Sequence, residues 1–429
     1  AERHAVFVVE VSVQFDAGYA ADQGARLGRA DFTMDLLDEG TKSRSALDLS
    51  AALETLGANL STNTTLDTAS VDLSALKQTL TESVSIMADV IRNPAFAEDE
   101  IARKKPQWLA RIRQEKAQPV SLALRELPPL LYGEGHAYSV PFTGSGTLAS
   151  MQAMSRSDLM GFYETWMRPD NATIFVVGDT TMADIQPILE KAFRGWTAPD
   201  APLPEKSLAQ VALPDEPRIF VIDRPNSPQS LILGGHVAPP TGDERAVAID
   251  AMNEIIGGTF TSRINMNVRE DKGWAYGAQT VLFGAEAQRP LMLYAPVQAD
   301  KTGDTIAEIL AEIEAYLGDE PPTEEELQRA VNNNTRSLPG RFETASAVLG
   351  NLKSNKRYDR PYDYVESLTG KWQSLTTDRV QAVARDVLQP DRLTWLIVGD
   401  KSVIEQELAE FDLGEAETLT LPSGQSGGN

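Results

Sequence analysis

No cysteine occurs in the 429 residues. This removes disulfides, thiolate-bound metals and cysteine nucleophiles together, and it fits a reducing cytoplasm or a bacterial periplasm, with the periplasm preferred. Basic residues are scarce, since 39 Lys and Arg stand against 62 Asp and Glu for a formal net charge of −23. A surface of that sign repels a phosphate backbone and argues against nucleic acid as a partner. The acidity serves solubility or an acidic cavity that favours cationic peptides. Apolar runs are short, and none approaches the ~18 to 20 residues that span a bilayer. No apolar stretch precedes a cleavage site near the start, while the first residue, Ala1, is not methionine and leaves a removed leader open. Histidine is nearly absent: His4, His136 and His236 show no metal-ligand spacing. The single G-x-S-x-G match, Gly424 to Gly428 around Ser426, sits in a polar tail without the strand and helix of a nucleophile elbow. Neither a Walker loop nor a G-x-G-x-x-G turn is present.

What the chain has is length for two domains of roughly 200 residues. Val6 to Phe15 reads as a strand, Gln23 to Leu37 as a helix closed by Gly40, and Ala46 to Leu56 as a helix stopped at Gly57. Alternation in Leu60 to Leu73 predicts a strand pair, and Thr79 with Glu82 signals a capping box on a helix ended by Asn93-Pro94. A charged helix over Glu98 to Lys116, helices near Leu148 to Ser155 and Ser157 to Trp166, and a strand over Thr173 to Asp179 complete the first half. The proline-rich stretch between Trp196 and Pro217 is a linker. The second half repeats the order, with a capping box at Thr323 and Glu326. Both halves end alike: Pro169-Asp170 leads into Val177-Gly178-Asp179, and Pro390-Asp391 into Val398-Gly399-Asp400, each pair 221 positions apart. Equal offsets over this span indicate a duplicated domain. The boundaries read as 1–197 and 218–415, joined by 198–217 and followed by a polar, disordered tail at 416–429. Each domain is expected to be a sheet with helices on one face.

One stretch of the second half invites chemistry. Gly257-Gly258-Thr259-Phe260-Thr261-Ser262-Arg263 follows an apolar helix, where the glycine pair suits a left-handed cap. Val268 to Tyr276 then holds Arg269 and Tyr276 seven positions apart. A guanidinium fork and a phenolic hydroxyl suit a carbonyl or a developing oxyanion. On spacing alone, a surface arginine and a half-buried tyrosine fit equally well. The G-G-x-F-x-S-R and R-E-x-K-G-x-A-Y patterns resemble the second domain of the pitrilysin/insulinase-type peptidases, the inverzincins, in which such an Arg/Tyr pair contacts substrate opposite zinc. The likeness covers both halves and the linker. It implies an α+β fold of two homologous domains, each a mixed, mostly antiparallel sheet.

The family's zinc site is H-x-x-E-H on the first domain's helix, with a glutamate from a downstream helix. Counting back from Gly40-Thr41 puts Asp31-Phe32-Thr33-Met34-Asp35 there, so Asp31 and Asp35 replace both histidines and Met34 the general base. Near the downstream glutamate stands Trp108-Leu109-Ala110-Arg111-Ile112-Arg113. Carboxylates beside arginines suit an ion-paired face rather than zinc. Asp31 and Asp35 share a helix face and present the right donors for magnesium or manganese, but no third carboxylate stands at a telling spacing. The resemblance therefore implies a chain with no metal or other cofactor of its own: the non-catalytic subunit of a bacterial heterodimeric zinc metalloendopeptidase. Zinc would lie in a pitrilysin-type partner chain, and Arg269 and Tyr276 would bind the substrate peptide. Two alternatives are an interaction protein resembling the zinc-less core subunits of respiratory complexes, and an independent hydrolase using Asp31 and Asp35 with a hard metal.

Overall fold

The computed structural model describes residues 1–4, 7–411 and 413–421. The first half runs β1 (Val8–Phe15), α1 (Arg29–Leu37), α2 (Ala46–Leu56), β2 (Asn59–Thr64), β3 (Ala69–Leu76), α3 (Leu80–Arg92), α4 (Glu98–Ala117), α5 (Pro119–Tyr132), α6 (Leu148–Ala153), α7 (Arg156–Trp166), β4 (Ala172–Gly178) and α8 (Met182–Ala192). The second runs β5 (Arg218–Asp223), β6 (Gln229–Ala238), α9 (Ala246–Asn253), α10 (Arg263–Asn265), β7 (Gln279–Leu282), β8 (Arg289–Gln298), α11 (Thr302–Leu317), α12 (Glu324–Arg336), α13 (Ala345–Arg357), α14 (Tyr364–Gln373), α15 (Thr377–Val387), β9 (Thr394–Gly399), α16 (Lys401–Glu410) and β10 (Glu417–Thr418).

Among the described residues these strands form two sheets, ordered β2-β3-β1-β4 and β10-β5-β9-β6-β8-β7. The first is antiparallel throughout. In the second, β10, β5 and β9 run parallel, while β9, β6, β8 and β7 alternate in direction. The ladder β7-β8-β6-β9 has the order and directions of β2-β3-β1-β4, so the duplication read at the chain's two Pro-Asp turns extends to strand pairing. A 3-10 turn precedes the closing strand in both copies, at Pro169–Asn171 and Pro390–Arg392.

The α+β architecture follows from strand alternation. Val9, Val11, Val13, Phe15, Val71 and Leu73 point to one face of the first sheet and join Phe32, Val84, Met87, Ile91 and Ile112 in one core. Ile232, Leu291, Leu293, Ala295, Val297, Trp395 and Ile397 do the same in the second sheet, against helices that include α9, α11 and α15. On the first sheet's opposite face, Phe175 and Val177 of β4 pack with Leu349 of α13. In the second unit α5 packs on β6 and β9. Leu231, Leu233, Leu396 and Val398 of those strands alternate away from the main core and are buried.

The compact units are consequently not the linear halves. One comprises Ala1–Gln114, Gly135–Leu208 and Pro339–Tyr362; the other comprises Glu115–Glu134, Ala209–Leu338 and Asp363–Asn429. Each half contributes one helix to the unit built mainly from the other. The pairs α4 with α12 and α5 with α13 both begin 226 positions apart, so this exchange belongs to the repeat.

Several local expectations change. The helix expected from Gln23 begins only at Arg29, because Gly24 and Gly28 take left-handed φ values of 71° and 86° and the buried Asp22 carboxylate accepts hydrogen bonds from the Gly28 and Ala30 amides. A Cβ on Gly28 would meet the Ser145 carbonyl at 2.6 Å. The Thr79 capping box does not form: Thr79 lies at φ −111° and ψ 10° rather than in extended N-cap backbone, and its hydroxyl donates to the Leu56 and Leu76 carbonyls. The stretch from 416, read as a disordered tail, contains β10, which pairs with Phe220 and Val221 of β5. Val6 and the G-x-S-x-G match lie outside the described residues.

Candidate functional site

The glycine-rich segment starts where α9 loosens into a π-turn over Glu254–Gly258. Gly257 and Gly258 are not left-handed, so the expected cap is absent. Their missing side chains serve close approach: a Cβ on Gly257 would lie 2.5 Å from Thr280 Oγ1, and one on Gly258 would lie 2.5 Å from Asn253 Nδ2. The backbone thus presses onto β7 at the first glycine and folds back on its own helix at the second.

Side chains whose role the sequence did not reveal then brace the segment. Arg263 donates from Nε and Nη2 to the two carboxylate oxygens of Glu326, both at 2.7 Å, and Glu326 also closes the capping box of α12 with Thr323. Its other donors reach the Glu320 and Pro321 carbonyls. Asn265 ties both ends of the turn, donating to the Phe260 carbonyl at 2.6 Å and accepting from the Ala278 amide at 3.1 Å. Asn267 and Lys272 bond Glu308 of α11. A bidentate Arg–carboxylate pair that also caps a helix is geometrically restrictive, which makes this platform stiff.

From it Arg269 and Tyr276 project differently. Tyr276 is 91% exposed, its ring and hydroxyl open to solvent. Arg269 stacks its guanidinium 4.4 Å over the Phe260 ring, and Nη1 lies 2.7 Å from Glu270 Oε1 without hydrogen-bond geometry. Phe260 and Met266 are exposed beside them in the segment. The surface combines aromatic faces, a thioether, a guanidinium and a phenol, a set suited to the carbonyls and side chains of an extended peptide.

The first unit's helix α1 carries Asp31, Met34 and Asp35. Met34 is buried in the core. Asp31 Oδ2 lies 3.3 Å from Arg111 Nη1, and Asp35 Oδ2 lies 3.2 Å from Lys104 Nζ. Lys104 and Arg103 also clasp Glu39 one turn on. Arg111 is stacked 4.6 Å over Trp108, whose Nε1 donates to the Ser145 carbonyl. Cations covalently part of α4 therefore neutralise the carboxylates of α1. The donor set lacks the neutral imidazoles of an H-x-x-E-H zinc site, and a hard cation would have to displace two ammonium or guanidinium groups. Among the described residues no group of three or more His, Cys, Asp or Glu is placed to hold a metal ion.

The histidines are used elsewhere. His4 pairs with Asp179 at 2.6 Å, which raises its pKa. His136 accepts from the Tyr138 amide at 3.0 Å, and Tyr138 donates its hydroxyl to the buried Asp67, which Arg357 of α13 also pairs. His236 is buried on β6, its pKa pushed down by burial.

Fold and site together define a two-domain chain of zinc-peptidase type with no metal-holding group among its described residues. The chain belongs to peptidase family M16, the insulinase family: residues 2–137 match the model for insulinase (peptidase family M16), and residues 153–334 match that for the peptidase M16 inactive domain. An uncharacterized zinc protease of Mycobacterium tuberculosis is 25% identical over 90% of this chain and 86% of its own. A Helicobacter pylori protein named non-peptidase homolog YmxG is 20% identical over 93% and 91%. Among solved structures, a peptidase M16 inactive domain from Pseudomonas fluorescens superposes with a TM-score of 0.84 at 25% identity, covering 94% of this chain and 95% of that one. The periplasmic protease PqqL of Escherichia coli superposes at 0.73 and 16% identity over 98% of this chain and 49% of its own. No helix is long and apolar enough to cross a membrane among the described residues.

Proposed function

We propose that this chain is the non-catalytic subunit of a heterodimeric bacterial zinc metalloendopeptidase, with the segment from Gly257 to Tyr276 binding the substrate peptide opposite the zinc of a partner chain. The observation that carries this reading is the contrast between the two sites. The α1 position is sealed by Arg111 and Lys104. The Arg269/Tyr276 segment, by contrast, stands on a braced platform with Tyr276 open to solvent. A chain that retains the second and has lost the first can stabilise charge on a scissile carbonyl but cannot activate water. The likeness to the periplasmic PqqL structure favours a periplasmic location, with which the absence of cysteine is compatible.

One observation favours the structural alternative: Arg269 already has an aromatic face and a carboxylate of its own. The test is co-purification with an H-x-x-E-H-bearing M16 chain, followed by peptidase assays on each chain alone and on the mixture. The proposal expects chelator-sensitive turnover only from the mixture. Equal activity from the zinc-bearing chain alone leaves the interaction-protein reading in its place.

A further inference from the structure

The second unit contains a cavity that the peptide-binding reading does not use. It measures about 210 Å³ and is enclosed by the end of α5, the extended segment 211–214, and strands β5, β6 and β9. Its outer wall is fixed through Val211, whose amide donates to Gln288 Oε1 at 2.6 Å and whose carbonyl accepts from Gln288 Nε2 at 3.1 Å. Tyr132 holds the same residue from α5, donating its hydroxyl to the Gln288 carbonyl at 2.8 Å. The space is thus bounded by hydrogen-bonded walls.

The lining mixes aliphatic side chains with the polar groups of His236 and Thr394 and a single charge. Leu131, Val211, Leu213, Pro214 and Val237 supply the apolar surface, and Arg218 is the single ionised group among the lining residues. His236 in the floor is 2% exposed, with Nδ1 3.0 Å from the Val237 carbonyl, so it donates there and stays neutral. Arg218 uses Nη2 on the Leu130 carbonyl at 2.6 Å and on Thr394 Oγ1 at 2.8 Å. Among the described residues no carboxylate pairs with it, Nε is buried without a partner, and burial alone lowers its pKa. A guanidinium partly withdrawn from water without a counter-ion is costly, and an anion in the cavity would offset that cost.

We propose that this cavity binds a small apolar monocarboxylate, its carboxylate against the Nη1 edge of Arg218 and its hydrocarbon against Leu131, Val211, Leu213 and Val237. With Nη2 committed and Nε enclosed by protein, Nη1 is the guanidinium nitrogen left for a ligand, which matches a single negative charge better than a phosphate dianion. The volume equals that of about seven waters, which admits an acid of some six to ten heavy atoms and excludes a nucleotide. Such an acid has two sources, a free branched-chain acid or the C-terminal residue of a peptide.

The experiment titrates the full chain by calorimetry and ligand-observed NMR with sodium 4-methylpentanoate for the free acid, N-formyl-valine for a peptide C-terminus, and 4-methylpentanamide as the uncharged isostere. One of the two acids is expected to saturate one site per chain and to bind at least about ten-fold tighter than the amide, and the preferred acid identifies the source. Arg218→Met and Val211→Trp should each weaken that acid by about ten-fold or more. Val211→Trp fills the space from an extended segment while leaving the Gln288 backbone bonds, so it stays informative if Arg218→Met unfolds. The proposal is overturned if neither acid saturates by about 10 mM, if the amide binds as well as the acid, or if Val211→Trp binds like the wild type. None of these readouts depends on a zinc-bearing partner or on peptidase activity.

Discussion

Arg111 places Nη1 3.3 Å from Asp31 Oδ2, so a guanidinium from α4 already neutralises the carboxylate that α1 would offer a metal ion. The pure chain should therefore bind no zinc at stoichiometric level. Restoring the motif by Asp31→His, Met34→Glu and Asp35→His should not rescue it while Arg111 and Lys104 remain. Metal analysis after dialysis checks both expectations, and one zinc per chain in either protein contradicts them. Because the pair is partly exposed, Arg111→Met should shift urea unfolding by no more than about 1 kcal/mol.

Gly257 offers a test of the platform. A Cβ there would stand 2.5 Å from Thr280 Oγ1 and 2.8 Å from the Thr280 amide, and backbone cannot yield as a flexible side-chain tip can. Gly257→Ala should cost about 1 to 3 kcal/mol through overpacking. Gly273→Ala, left-handed but with open space around it, should cost about 1 kcal/mol. Equal midpoints for wild type and Gly257→Ala would show that β7 moves aside.

The elements visible in the sequence were those with their own local signal. Helix α2 runs Ala46–Leu56 and stops at Gly57 as read, and the Thr323–Glu326 box formed as written. The same box at Thr79 failed because Thr79 ends the 3-10 turn Lys77–Thr79 with φ −111° and ψ 10°, not the extended backbone that turns an N-cap hydroxyl oxygen toward the next amides. Helix α5 went unread because Pro128 and Pro129 sit in its last turns, where each removes an amide donor. That it covers β6 and β9 is a tertiary choice with no local pattern to announce it. The same holds for the site. Arg269 and Tyr276 stood out by motif, whereas Arg263, Asn265 and Asn267 act through partners up to 63 residues away.

Burial makes His236 a source of acid sensitivity. Its pKa is depressed in the folded chain from the ordinary value near 6.5, so above that pH both states are neutral and it contributes nothing to the pH dependence. Below it the unfolded chain takes up a proton that the folded chain refuses, and stability falls as pH falls. The linked loss grows as the pH falls from 6.5 toward the depressed folded-state value. His236→Gln should remove that increment, measured as the difference between wild-type and variant urea midpoints at pH 7.5 and 5.5. Parallel pH dependences would mean that His236 titrates alike in both states.

Tyr276 and Arg269 carry the functional claim. If the segment completes a partner's active site, the Tyr276 hydroxyl, free of protein contacts that would hold it back, donates to the scissile carbonyl as negative charge develops on its oxygen. A donor engaged mainly in the transition state lowers kcat and kcat/KM together when removed. Oxyanion donors contribute about 10² to 10³ in kcat, or roughly 3 to 4 kcal/mol, and Tyr276→Phe deletes only that hydroxyl. Arg269→Lys keeps the charge but loses the planar fork, and with it the stacking on Phe260 at 4.4 Å. Both variants should fold, associate with the zinc-bearing chain and depress turnover of the mixture. Tyr276, at 91% exposure, supports no packing whose loss would mimic this result, so a drop in its kcat at unchanged stability is specific to catalysis. Wild-type turnover from both variants would assign the pair to structure.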